Sequence, residues 1–124
     1  MHIVLVAAGA TAVALGVACG SQQSSPPVAG AEPKLDTAEL KHGEALFMRN
    51  CNQCHPGGAG GLGPALNNKP APKGAIALVI RTGPGQMPRF SHDDLSADDV
   101  DAITDYVVAL RNAKSDAEEM AAAK

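Results

Sequence analysis

The chain is poor in the residues that usually fill a core. Its 124 residues include no tryptophan, one tyrosine (Tyr106) and two phenylalanines (Phe47 and Phe90), 2% aromatics in all. Aromatic side chains supply much of the buried area of most cores, and a domain of this size buries little surface to begin with. Something besides side chains is therefore expected in the interior: a cofactor, a metal or a set of cross-links. Cysteine is scarce as well. Three cysteines make at most one bridge and a leftover, which excludes a disulfide framework. A basic excess is missing too. Ten Lys+Arg stand against 13 Asp+Glu, a formal net charge of -3, so no surplus of cations exists to neutralise phosphates and nucleic acid is not an expected partner. Alternating strand patterns are also lacking, and the chain reads as all-α.

The first residues, MHIVLVAAGATAVALGVAC, carry no charge from Ile3 to Ala18. That run is shorter than the roughly 20 apolar residues of a transmembrane helix and suits the h-region of an export signal. It ends in GVAC, which resembles a bacterial lipobox, with Cys19 as the lipidated residue and new N-terminus. Gly16 stands where that motif usually has leucine, Leu15 lies one place further back, and His2 replaces the usual Lys or Arg, so the true start is expected upstream. An ordinary cleaved signal or an uncleaved anchor is the alternative. Residues 1–18 are thus read as signal. Residues 19–36, rich in Ser, Gln, Pro and Gly, read as a flexible tether spanning roughly 20–25 Å. Residues 37–112 form the expected domain, and 113–124 a low-complexity tail of frayed helix or disorder.

Within that domain Asp36 and Glu39 suggest a capping box, and Leu40, Gly43 and Phe47 share one helical face that runs into Cys51. Ser96 and Asp99 form a second capping box, ahead of an apolar stripe of Val100, Ile103, Tyr106, Val107 and Leu110 that Arg111 closes. A short helix is expected from Gly74 to Arg81. Long Gly/Pro loops such as GGAGGLGP lie between, and they make sense wrapped around a rigid cofactor.

Residues 51–55 read CNQCH. C-x-x-C-H is the pattern of covalent c-type haem attachment: on a helical turn both sulfurs reach a haem vinyl group, and the histidine presents a ring nitrogen to the iron. A thioredoxin-like site expects βαβ context, and structural zinc wants four ligands; His2, His42 and His92 do not pair to provide them. A second axial ligand is then needed unless the iron stays open. Met48 is too near the attachment site to cross a haem, and Met120 lies in the tail. Met87, in TGPGQMPRF between Gly85 and Pro88, is the expected ligand, which would raise the potential and suit electron transfer. His92 is the competing ligand, or a solvated loop residue.

The order of these features resembles the class I c-type cytochromes: Gly43 and Phe47 four apart, CNQCH, GLGPAL with Pro64 and Leu66, GQMP, and a last helix with Tyr106 and Leu110. The resemblance implies a small cytochrome c fold in which the first and last helices cross near Gly43, with Phe47 and Tyr106 packed at the crossing. It implies one haem c bound through Cys51 and Cys54, His55 and Met87 as axial ligands, and the Pro64 carbonyl accepting from the free nitrogen of His55. The expected role is a one-electron carrier, not an enzyme, cycling Fe(III) and Fe(II). An open or labile sixth position, for gas binding or peroxidatic chemistry, is the alternative.

The expected carrier is a monomer, exported to the periplasm or outer face of the cytoplasmic membrane and held by a lipid on Cys19. Its expected partners are a quinol-oxidising complex, a terminal oxidase or a dehydrogenase. Lys69, Lys73, Arg81 and Arg89 fall in segments that the resemblance puts near the haem-ligand loops, and Asp93, Asp94, Asp98, Asp99, Asp101 and Asp105 gather at the start of the last helix. A basic docking rim and a generic solvated surface are the two readings. Mass spectrometry of the mature N-terminus checks the anchor: a diacylglyceryl adduct on Cys19 is expected, and an unmodified thiol there would end that reading.

Overall fold

The computed structural model describes residues 31–124; the signal segment, Cys19 and most of the expected tether lie outside the described residues. Three helices carry the fold: α1 at Ala38–Asn50, α2 at Lys73–Thr82 and α3 at Ala97–Ala122, with one 3-10 turn at Pro56–Gly58. No strand occurs among the described residues.

Helix α1 begins one residue later than the sequence suggested. Thr37, not Asp36, is its N-cap, in extended backbone with its hydroxyl accepting from the Leu40 amide at 3.1 Å. A cap side chain reaches the third helical residue, and Asp36 lies one residue too early for that. Glu39 stays in the first turn, where its charge suits the helix dipole.

Helix α1 packs chiefly on α3. At the crossing a Cβ on Gly43 would overlap the Ala102 carbonyl, so the two backbones touch only because Gly43 has no side chain. One turn on, Phe47 is fully buried, and its ring centroid lies 5.3 Å from that of Tyr106 at 54°. Such tilted aromatic pairs add about 1 kcal/mol beyond the area they bury. Leu46, Ile103, Val107 and Leu110 complete the layer, and Ile80 of α2 and Leu95 join it from the side.

The start of α3 is pinned twice. Ser96 and Asp99 cap each other reciprocally, with Ser96 N donating to Asp99 Oδ2 at 3.0 Å and Asp99 N to Ser96 Oγ at 3.1 Å. The other carboxylate oxygen of Asp99 accepts from His42 Nε2 of α1 at 2.8 Å. The His42 hydrogen bond first, and those of Ser96 second, hold the Asp99 carboxyl below its ordinary range.

At its far end α3 does not stop near Asn112. It continues through the expected tail to Ala122, and both Lys114 and Ala117 are buried. Low complexity here means alanine, the strongest helix former, and Lys114 pairs with Glu118 one turn on at 3.5 Å. Arg111 accordingly closes no helix; its guanidinium donates to the Lys69 and Ala71 carbonyls at 2.9 and 3.0 Å. That tie fastens the loop before α2 to the middle of α3.

Gly43→Ala should cost about 2–3 kcal/mol, since the added methyl meets backbone that cannot step aside. Equilibrium denaturation measures it, and a variant as stable as the parent would refute the close crossing.

Candidate functional site

The site grows out of the end of α1. Cys51 is the C-cap of that helix, its amide donating to the Phe47 carbonyl at 2.8 Å. The chain then turns once more: Cys54 N and His55 N both donate to the Cys51 carbonyl, at 3.1 and 2.9 Å. Cys51, Cys54 and His55 are therefore set on one tight turn, whose position follows from the register of α1. Asn52, inside the motif, accepts from the Gly57 amide at 2.8 Å.

Burial pushes the Cys51 thiol up to about 11, with a smaller contribution from neighbouring Cys54. Cys51 is buried and Cys54 partly so, and no disulfide joins them.

His55 is 6% exposed. Its Nδ1 donates to the Pro64 carbonyl at 2.8 Å. A carbonyl can only accept, so Nδ1 carries a proton, and Nε2 is then the ring nitrogen that can offer a lone pair to a metal. The loop that brings Pro64 there depends on glycines. Gly57 and Gly58 have φ of 58° and 78°, which lets the chain reverse so that Leu66 N and Asn67 N both reach the Gly58 carbonyl, at 2.8 and 3.1 Å. Gly63 N donates to the Cys54 carbonyl at 2.8 Å, and a Cβ on Gly63 would overlap His55 Cε1. The Gly63 backbone therefore lies close against the imidazole, a contact the sequence reading missed. Its only sequence signal was a glycine directly before the proline of GLGP.

Met87 is half-buried on the loop between α2 and α3 and packs, with Phe90, against the core. Met48 and Met120 are 52% and 65% exposed on helices. His92 is exposed, and His42 is engaged with Asp99. No group of three or more His, Cys, Asp or Glu side chains among the described residues could hold an ordinary metal ion. What the site offers instead is an imidazole nitrogen, a pair of cysteine sulfurs beside it and a separate loop thioether.

The expected charged rims are partly consumed in holding the fold. Lys73 pairs with Asp105 of α3, and Arg81 donates to four backbone carbonyls. Asp94 accepts from the Ser91 hydroxyl and amide at 2.7 and 2.8 Å, which holds its carboxyl below the ordinary range. Lys69 and Arg89 form no ion pair among the described residues.

Residues 38–107 match the family model described as cytochrome C oxidase, cbb3-type, subunit III. The chain is 36% identical over 88 residues to the cytochrome bc1 complex cytochrome c subunit of Corynebacterium diphtheriae, covering 65% of this chain and 31% of that relative. It thus spans about a third of that protein's length. It is also 36% identical over 80 residues to cytochrome c6 of Cyanidioschyzon merolae (58% of this chain, 75% of the relative). Over 79 residues it is 34% identical to cytochrome c6 of a Synechocystis strain (57% and 65%).

Gly63→Ala should displace the His55 ring and break its bond to Pro64. Proton NMR checks this: the slowly exchanging Nδ1–H resonance of the parent is expected to vanish, and its persistence would contradict the contact.

Proposed function

Because the chain belongs to this family of class I c-type cytochromes, we propose that it is a one-electron carrier with a single covalent haem c between membrane redox complexes. Cys51 and Cys54 supply the thioether bonds, and His55 and Met87 are the axial ligands. The observation that carries the reading is the His55 Nδ1 to Pro64 hydrogen bond at 2.8 Å. It selects the tautomer whose Nε2 can bind iron, and such a partner strengthens the ligand.

The residues suit the group in other respects. Two thiols stand on the turn that carries the ligating histidine. The chain leaves Leu62, Leu78 and Val79 83%, 62% and 42% exposed, apolar area of the kind a flat macrocycle covers. Haem c, once bound, supplies an iron that gains and loses one electron. The chain's own work is to keep the group still while that happens. The Gly63 backbone and the Pro64 carbonyl fix the plane and tautomer of His55, and the loop between α2 and α3 presents a soft, neutral thioether. Methionine opposite histidine raises the reduction potential. Ligands that stay bound in both oxidation states leave little to rearrange on transfer.

The proposed partners are a quinol-oxidising complex on one side and a terminal oxidase or dehydrogenase on the other. The bc1 complex cytochrome c subunit among the relatives supports the first. No described helix is long and apolar enough to cross a membrane. The proposed placement, which rests on the apolar run and GVAC pattern at residues 3–19, is export to the periplasmic side with a lipid on Cys19 as the anchor. Lys69 and Arg89 are the cations left for docking on an acidic partner.

Absorption spectra of the purified protein, with and without carbon monoxide, test the proposal. A sharp reduced c-type band, a weak far-red methionine–iron band when oxidised, and indifference to carbon monoxide are expected. A reduced band that shifts with carbon monoxide would replace the carrier with the open-site, gas-binding or peroxidatic reading. Absence of haem from protein made in a competent host would return CNQCH to thiol or metal chemistry.

A further inference from the structure

Arg81 lies half-buried in the last turn of α2. A cation there ordinarily faces the carbonyls of its own helix. This one reaches forward along the chain instead. Its Nη1 donates to the carbonyls of Phe90, Ser91 and Leu95 at 3.2, 2.7 and 2.8 Å, and its Nη2 to that of Ser96 at 3.0 Å. Ser96 is the N-cap of α3. One guanidinium therefore joins the end of α2, the returning arm of the Met87 loop and the start of α3.

The outgoing arm is held independently. Gly83, with φ of 58°, ends α2 in the left-handed region, and a Cβ there would lie 2.7 Å from the Met87 carbonyl oxygen and 2.6 Å from the Arg89 amide nitrogen. Phe90 N closes the base of the loop by donating to the Ile80 carbonyl at 3.2 Å. Met87 thus sits on a loop pressed against Gly83 on one arm and gathered by Arg81 on the other.

We propose that Arg81 is a positioning residue for the axial thioether: by holding the carbonyls of Phe90, Ser91, Leu95 and Ser96 at one guanidinium, it keeps the loop closed and Met87 on the iron. The proposal rests on the reading of Met87 as the axial ligand. The planar fork of arginine is what the task requires, because it presents donors in fixed directions to several acceptors at once. Lysine carries the same charge on a single nitrogen and cannot span the set. Hydrogen bonds from a charged donor are stronger than neutral ones, so their loss should raise the population of open loop on the order of tenfold.

The haem-loaded parent is compared with R81K, R81Q and a core control, V107A, which loosens the α1–α3 layer and leaves the Arg81 hydrogen bonds in place. Three quantities are read: the oxidised far-red methionine–iron band, the fraction of reduced protein that binds carbon monoxide, and the thermal midpoint. The expected result is a weakened band and a carbon monoxide-binding fraction raised about tenfold in R81Q. R81K should show smaller changes in the same direction, and V107A should keep parent values despite a lower midpoint. Parent-like spectra in both arginine variants would overturn the role of Arg81. So would a loss of the band in V107A matching that in R81Q at the same midpoint shift. If R81Q yields no haem protein, R81K decides by the same two spectra: a weaker band with more carbon monoxide binding supports the role, and parent values overturn it. A parent that itself lacks the band removes the Met87 reading and the proposal with it, an outcome distinct from an intact parent with unaffected variants.

Discussion

Two helices can touch through their backbones only where one of them carries no side chain, and Gly43 provides that place against the Ala102 carbonyl. The rest of the arrangement depends on this contact. It sets the depth at which α1 lies on α3, which brings Phe47 against Tyr106 and lets a core with so few aromatic rings close. It also sets where α1 ends. The Cys51 amide donates to the carbonyl of Phe47, the residue buried at the crossing, so the helix pair fixes the first cysteine and the next turn fixes the second and the histidine. A shift along the crossing would carry the candidate site with it.

Around that frame, irregular chain is ordered by side chains that reach backbone carbonyls rather than by regular ladders. Arg111 holds the segment before α2 through Lys69 and Ala71, and Arg81 holds the segment after it through four carbonyls. His55 does the same on a smaller scale at Pro64. Long Gly/Pro loops have little apolar area of their own to bury, and their carbonyls must be satisfied from somewhere. Cationic donors answer that need, and they also explain why charges that look like surface decoration in the sequence are engaged. The same holds for Asp94 and Asp99, which serve turns and caps.

What could be read from the sequence was what is local in it. CNQCH, the reciprocal pair Ser96 and Asp99, and the apolar stripe of α3 all lie within one or two helical turns, where spacing determines geometry. The cap of α1 was misplaced by one residue because Asp36 and Thr37 are both good caps and only the folded backbone chooses. Of the contacts that join distant positions, the Gly43 crossing with Phe47 on Tyr106 was reached only through the family resemblance, and others left no trace. Gly63 against the His55 ring and Arg81 across to Ser96 depend on how loops fold back. Glycine or arginine in a loop has too many uses for its type alone to reveal one. The segment after Asn112 was less legible for another reason: repetitive alanine reads as low complexity, frayed helix or disorder alike, and it favours helix once Ala117 and Lys114 are buried.

That last segment has a practical consequence. From Asn112 to Ala122 the helix extends α3 by roughly 16 Å at the usual rise per residue, and the buried side chains of Lys114 and Ala117 keep it docked. A fluorophore or spin label placed near Met120, which is 65% exposed, would ride on a stiff lever instead of a loose thread. Its orientation would report the attitude of the whole domain towards a membrane or a docked partner.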